Sequence, residues 1–313
     1  MFNKIETFIA EWKIKFKVRI IIKIIGGKIM KKVSILTDST SDLSKELLEK
    51  YDITVFPLHI HLGEKEYADG IDITVDEIYR WSKETKETPK TSALSLFDAK
   101  EYVKKALEKS EEVIVFCISE EMSSCCSVMC MAVAELEAED KVFVVNSKNL
   151  STGTGLQILE AAELANQGLE AKEIVKKIEQ MQPKVRSSFV VDSLTFLHRG
   201  GRCGSVAALA GNTLKLHPYI FVLDGKMQAG KKYRGKMDKV ILSYVEDLKQ
   251  ELLTAKKDHV FITHSGCEND LIEDVKKELE ELNYFENIHI TRAGSVISSH
   301  CGPGTLGVLY VAK

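Results

Sequence analysis

The sequence predicts an α/β fold made of two α/β domains, an N-terminal doubly wound parallel sheet and a C-terminal mixed-sheet domain. Three observations point there. The chain has 313 residues, more than one hydrophobic core usually serves. In the first half short apolar runs alternate with helical stretches, the pattern of parallel βαβ units covered on both faces. In the second half an Asp-Gly turn between two apolar runs signals a hairpin, and so some antiparallel pairing.

Val33 to Leu36 reads as a buried strand, followed by the polar turn Thr37-Asp38-Ser39-Thr40-Ser41 and a helix through Lys50. Further apolar runs fall at 53–58, 113–118 and 142–145. Helical spacing recurs at about 97–109, 123–138, 152–167 and 171–181. After Gln182-Pro183 a second domain is expected to begin near Arg186, giving domains of 31–185 and 186–313. It holds a strand at 188–191, the hairpin 220–223/227–229 around Asp224-Gly225, helices at about 236–254 and 269–282, and strands at 260–263 and 288–291.

Apolar residues make up 44% and charged residues 28% of the chain, the range of a soluble globular protein. Seven cysteines, an odd number without a CxxC pair, fit free thiols in a reducing cytosol, so a cytoplasmic location is expected. Cys125, Cys126 and Cys130 cluster, but their spacing without a nearby histidine suits packing on a helix; no metal and no cofactor are expected. Residues 1–29 carry seven Lys/Arg against Glu6 and Glu11, a net +5, which leaves −8 for the rest of a chain whose total is −3. An acidic body offers no footprint for nucleic acid.

This basic N-terminal extension has no uncharged apolar run of about 20 residues for a membrane span and no small-residue cleavage site of a secretory signal. Two readings stay open. Its cations beside Trp12, Phe16 and several isoleucines suit transient contact with an anionic membrane surface. Alternatively it is not translated, because Gly26-Gly27-Lys28-Ile29-Met30 decodes to a sequence that permits a purine-rich ribosome-binding site just ahead of a Met30 start codon. Translation from Met30 is the expectation.

Ligands of open α/β sheets sit beyond the carboxyl ends of the strands. The loops there are rich in hydroxyls: Asp38-Ser39-Thr40, then Thr91-Ser92, then Ser119, Ser123 and Ser124. Each loop alone suits helix capping; three together suggest a binding site. The second half adds His198, Arg199 and Arg202 around Gly200-Gly201, and His300 ahead of Gly302-Pro303-Gly304. Gly302, Gly304 and Gly307 match GxGxxG formally, but a dinucleotide fingerprint needs a following helix and a later acidic residue. His59 and His61 share a strand face without a third ligand and read as ordinary strand residues.

Val33–Thr40, Pro89-Lys90-Thr91-Ser92-Ala93-Leu94-Ser95, Ile118-Ser119 through Cys125, Phe196–Arg202 and Ser299–Thr305 together resemble the motifs of the bacterial DegV family, in order over residues 31–313. The resemblance implies a two-domain protein that holds one long-chain fatty acid in an interdomain tunnel. It also implies a partner, a fatty acid kinase that phosphorylates the carboxylate for phospholipid synthesis. The protein would then be a carrier, not an enzyme. Carried over by position, Thr91, Ser92 and Ser123 would bind the carboxylate, with Arg202 and His300 near the head group and Asp38, Ser39, Ser124 and Gly302 as further loop contacts. Where the family often has Gln-Pro and Gly-Thr, this chain has Ala93-Leu94 and Ser124-Cys125.

The alternative is a serine hydrolase acting on acyl esters, with Ser123 or a cysteine as nucleophile and His300 as base; no carboxylate in the sequence is obviously placed to orient that histidine. The start-site expectation is checked by the intact mass of the endogenous protein, which should begin at Met30. A mass that includes residues 1–29 would refute it and restore the surface-contact reading.

Overall fold

The computed structural model describes residues 22–25, 28–202 and 216–313. Trp12 and Phe16 of the basic extension, the Gly26-Gly27 pair and Cys203 lie outside them. The run from Val33 to Leu36 forms the middle of β2 (Lys28–Asp38), which pairs in parallel with β3 (Ile53–Phe56) on one side and β7 (Ser110–Cys117) on the other. β8 (Val142–Asn146) completes the parallel order β3-β2-β7-β8, and β1 (Ile22–Ile25) pairs antiparallel with the start of β2. Side chains alternate across this sheet as the pleat requires. Leu36, Val113, Val115 and Cys117 pack with α3 (Leu96–Leu107) and α4 (Cys125–Glu135). Val33, Ile35, Ile114 and Phe116 pack with α1 (Lys45–Tyr51), α5 (Ser151–Asn166) and α6 (Ala171–Met181). The sheet is doubly wound, as expected.

The second sheet runs β11-β10-β9-β14-β12-β13. Its strands are β9 (Val185–Val190), β10 (Leu216–Leu223), β11 (Lys226–Arg234), β12 (Ala255–Ser265), β13 (Ile288–Arg292) and β14 (Thr305–Ala312). Only β12 and β13 are parallel, so the sheet is mixed. α8 (Met237–Leu252) and α9 (Asn269–Glu281) cover one face. The other face receives α5, which packs Phe261, Leu309 and Val311 of this sheet together with the first sheet's residues in one core.

Several elements were not expected. The apolar run 53–58 is not one strand: the chain leaves the sheet at Pro57, which has no N–H to pair, and continues as β4 (His59–Leu62). That strand joins β5 (Lys65–Ala68) and β6 (Lys90–Ser92) in a separate antiparallel sheet. α2 (Val75–Thr85), α7 (Thr195–Arg199) and α10 (Ser295–Cys301) are also additional. Gly302 and Gly304 lead into strand β14, which contains Gly307, and not into a helix, in keeping with the rejected dinucleotide fingerprint.

At the middle of the second sheet Tyr244 is fully buried on α8, and its hydroxyl donates to Ser188 O at 2.8 Å while accepting from Val308 N–H at 2.9 Å. It bridges β9 and β14. Tyr244→Phe strands those groups and should cost about 1–3 kcal/mol. Chemical denaturation measures the loss, and an unchanged midpoint would contradict the bridge.

Candidate functional site

Of the residues singled out from the sequence, Thr91, Ser92, Ser123, Ser124, Arg202 and His300 meet around one cavity of about 250 Å³, while Ser119, His198 and Arg199 are not in its lining. Thr91 and Ser92 come from β6, Ser123 and Ser124 from the turn leading into α4, Arg202 from the segment after α7, and His300 from the last turn of α10. The remaining walls are apolar, with Leu58, Ile118, Met122, Leu150, Leu197 and Ile297 among them. The cavity therefore has one polar end and a carbon-lined body.

At the polar end His300 Nε2 lies 2.8 Å from Thr91 Oγ1, while its buried Nδ1 has no hydrogen-bond partner among the described residues. Nδ1 faces Gly200, where a Cβ would overlap the ring. Burial, helped by the nearby Arg202 charge, lowers the His300 pKa to about 4, so the ring is neutral near pH 7. Arg202 donates from Nε to Met122 O at 3.1 Å and from Nη1 to Gly200 O at 2.8 Å. Among the described residues no carboxylate forms an ion pair with it. Burial lowers its pKa, the sign that a half-buried cation lacks a counter-charge. Ser92 Oγ lies 2.9 Å from His61 Nε2, and Ser123 Oγ accepts from Cys125 N–H at 3.2 Å. Ser124 occupies the N-cap position of α4 without a side-chain cap bond, so capping does not consume its hydroxyl.

Capping does account for other hydroxyls and acids. Ser44, Ser95 and Thr74 cap α1, α3 and α2. Three of the expected loop contacts, Asp38, Ser39 and Gly302, lie outside the cavity lining. Asp38 is fully buried behind it and accepts from Thr40 N–H at 2.9 Å and Ile118 N–H at 2.7 Å. It shapes the turn that carries Ser123. Ser39 Oγ accepts from Leu58 N–H, fixing the chain after β3. Gly302 ends α10 at φ +76°, and a Cβ there would come within 2.7 Å of the Phe196 ring.

Neither sequence spacing nor composition pointed to several residues now at the site. His61, read as an ordinary strand residue, reaches Ser92 because β4 pairs with β6. Leu150 and Ile297 stand in the apolar wall although neither belongs to a polar loop. Cys117, at the end of β7, comes within 4.8 Å of Cys125 and the Asp38 carboxylate. The thiols of Cys117 and Cys125 are buried and their pKa values raised, which keeps them protonated.

α10 is held in place by carboxylates from the first half. Asp42 accepts from Gly294 N–H at 2.8 Å, and Asp69 accepts from Ser295 N–H at 2.8 Å and Val296 N–H at 3.3 Å. Carboxylates satisfy the open N–H groups of a helix start and complement its dipole. A wider depression of about 390 Å³ lies beside them, lined by Asp42, Asp69 and Arg292. Its acids are committed to α10 and its arginine to Asp76, so the chemistry favours the smaller cavity. Hydrolase geometry is not present there: His300 bonds to Thr91 and not Ser123, and its Nδ1 meets no carboxylate.

The chain is thus an α/β protein with two main sheets and a cavity that is polar at one end and apolar along its walls. Residues 32–313 match the DegV family, described as uncharacterised proteins. This chain belongs to the DegV family. It is 35% identical over 286 residues to a DegV domain-containing protein of Clostridium perfringens, covering 91% of this chain and 100% of that one. Among solved structures, a fatty-acid-binding DegV family protein from Thermus thermophilus superposes with a TM-score of 0.83 at 28% identity, covering 90% and 100% of the two chains. A stearic-acid-binding protein from Eubacterium ventriosum gives 0.78 at 28% over 90% and 98%. DegV of Bacillus subtilis, a fatty acid binding protein, gives 0.77 at 25% over 90% and 99%.

Burial raises the Asp42 carboxyl to about 8, and raises Asp38 and Asp69 in the same direction. The folded chain thus keeps protons that the unfolded chain releases from about pH 4 upward. The stability contributed by Asp42 is whole below that value and is lost as pH rises through about 8, and Asp38 and Asp69 act in the same direction. The melting temperature should therefore fall from about pH 5 to about pH 8, and Asp42→Asn should flatten the fall. An identical slope in the variant would assign the dependence to other groups.

Proposed function

We propose that this protein binds a long-chain fatty acid between its two sheets, with 31–185 and 186–313 as the two domains, and presents the carboxylate to a fatty acid kinase. It acts as a carrier, not as an enzyme by itself. The observation that supports this reading most is Arg202, a half-buried cation without a carboxylate partner among the described residues, placed with four hydroxyls and a neutral histidine at one end of an apolar cavity. A ligand carboxylate supplies the missing counter-charge, and an acyl chain covers the walls. That the related proteins from Thermus, Eubacterium and Bacillus bind fatty acids gives the same answer by likeness.

Tail and head divide the work. Each buried methylene contributes roughly 0.8 kcal/mol, so the tail dominates affinity. Hydrogen bonds to a charged acceptor contribute roughly 1.5–3 kcal/mol, enough to orient the head. Thr91, Ser92 and Ser123 hold the carboxylate through single hydroxyls, which leaves an oxygen accessible for phosphorylation. Arg202 and His300 set the local charge. No helix among the described residues is long and apolar enough to cross a membrane. The acid would be exchanged by transient contact with the membrane surface, and the carrier would meet its kinase in the cytoplasm.

Native mass spectrometry of the purified chain, followed by organic extraction, should find one fatty acid per molecule. Ser123→Ala, alone or with Ser92→Ala, should keep most of that acid yet lower acyl phosphate formed per loaded carrier by about 10-fold or more, the worth of one charged hydrogen bond. Arg202→Ala should lower turnover too. Equal turnover at equal occupancy in all three variants would sink the site assignment, and ester hydrolysis by the wild type alone would restore the hydrolase.

A further inference from the structure

Two histidines in unlike surroundings stand against the neighbouring hydroxyls of β6. His300 Nε2 meets Thr91 Oγ1 at 2.8 Å, and His61 Nε2 meets Ser92 Oγ at 2.9 Å. A hydroxyl has one proton to give. The protonation of each histidine therefore decides whether its hydroxyl can donate to a carboxylate in the cavity.

The inner pair has one solution. His300 is buried and its pKa is lowered to about 4, so near neutral pH the ring carries a single proton. Its Nδ1 has no partner among the described residues, and a proton there would strand a buried N–H donor. The proton sits on Nε2 and is donated to Thr91 Oγ1, which frees the Thr91 proton for the cavity.

The outer pair has two solutions. His61 lies on β4 with its side chain 32% exposed, so its ring reaches solvent. Among the described residues, the titratable and charged groups facing it are Glu66 on β5, Lys90 opposite on β6 and His59 on its own strand. Glu66 Oε1 lies 2.7 Å from His59 Nδ1, and Oε2 lies 3.7 Å from His61 Nδ1. The longer distance is too great for the hydrogen bond that orients a catalytic base, so Glu66, His61 and Ser92 do not make a hydrolase triad. The carboxylate does favour a proton on the near nitrogen, Nδ1. Nε2, the nitrogen that faces Ser92, is then the one that gains or loses a proton. Histidine is the side chain whose charge ordinarily changes between about pH 5 and 8.

We propose that His61 is a positioning residue that couples the grip on the ligand head to pH. Protonated, it donates from Nε2 to Ser92 Oγ and turns the Ser92 proton toward the ligand carboxylate. Neutral, its Nε2 has passed a proton to solvent and accepts the Ser92 proton instead, which withdraws Ser92 from the head. Thr91 holds the carboxylate in both states, and Ser92 adds its bond on the acid side alone. This rests on the fatty-acid reading above.

The full-length chain, stripped of lipid, is loaded with hexadecanoic acid isotopically labelled at its carboxyl carbon, whose NMR shift follows the hydrogen bonds its oxygens accept. Between about pH 5 and 8 the bound signal of the wild type should move in one step. His61→Gln puts an amide N–H near the Nε2 position at every pH and should lose the step. Ser92→Ala removes the hydroxyl and should lose it too. The ratio of wild-type to His61→Gln affinity, in which the ionisation of the free acid cancels, should fall about tenfold over the same range, the worth of one hydrogen bond to a charged group. An undiminished step in Ser92→Ala would assign the effect to the His61 charge acting through space, and a step common to all three proteins would assign it to the ligand carboxyl. Either result overturns the proposal. A bound signal that stays still in the wild type also overturns it and leaves the fatty-acid reading intact, whereas a wild type with no bound signal overturns both.

Discussion

The structure depends on one helix, α5, that packs against both sheets. Twelve of the sixteen residues of α5 are buried, including every residue from Ser151 to Leu159, and a helix segment buried all round belongs in an interior. Its close approach depends on Gly153 and Gly155. A Cβ at Gly153 would overlap Ser187 of the second sheet and Asn149, and one at Gly155 would come within 2.8 Å of Leu43 beside the first. Moving either sheet outward would open the wall that Leu150, just ahead of α5, contributes to the cavity.

With the sheets fixed by α5, α10 sets the electrostatics between them. Its first N–H groups are taken by Asp42 and Asp69, acids of the first half of the chain, and its last turn brings His300 to Thr91, again from the first half. The helix thus spans the interface and is tied to the first half at both ends. Burying these acids raises their pKa values, and burying His300 lowers its own. Both shifts favour neutral forms, and Arg202 is the cationic side chain among the residues that line the cavity.

In the carrier proposed above, that arrangement would separate holding a lipid from exposing it. A direct bidentate clamp by arginine would occupy both carboxylate oxygens, whereas Arg202 spends Nε and an Nη1 donor on the carbonyls of Met122 and Gly200. The guanidinium is anchored as a nearby positive charge, and the hydroxyls of Thr91, Ser92 and Ser123 are left to orient the head. The apolar walls act on the tail without direction, since dispersion and water exclusion do not discriminate one oxygen from another.

The sequence alone determined the parallel first sheet, the mixed second sheet and the residues of the polar end, because period-2 and period-3.6 patterns and hydroxyl-rich turns are local properties of the chain. Even α2 left a local trace, the Thr74-to-Glu77 capping box, though it was not among the expected elements. α10 left none: Ser-Val-Ile-Ser-Ser-His-Cys contains weak helix formers, and its helicity comes from Asp42 and Asp69, more than 220 residues away in sequence. Only the tertiary structure decided that Asp38, Ser39 and Gly302 support the site from outside its lining. It also decided that Cys117 joins Cys125, and that Leu150 and Ile297 stand in the apolar wall of the cavity. Each of these depends on which surfaces face one another across the two sheets, and a residue's own neighbours in sequence carry no record of that contact.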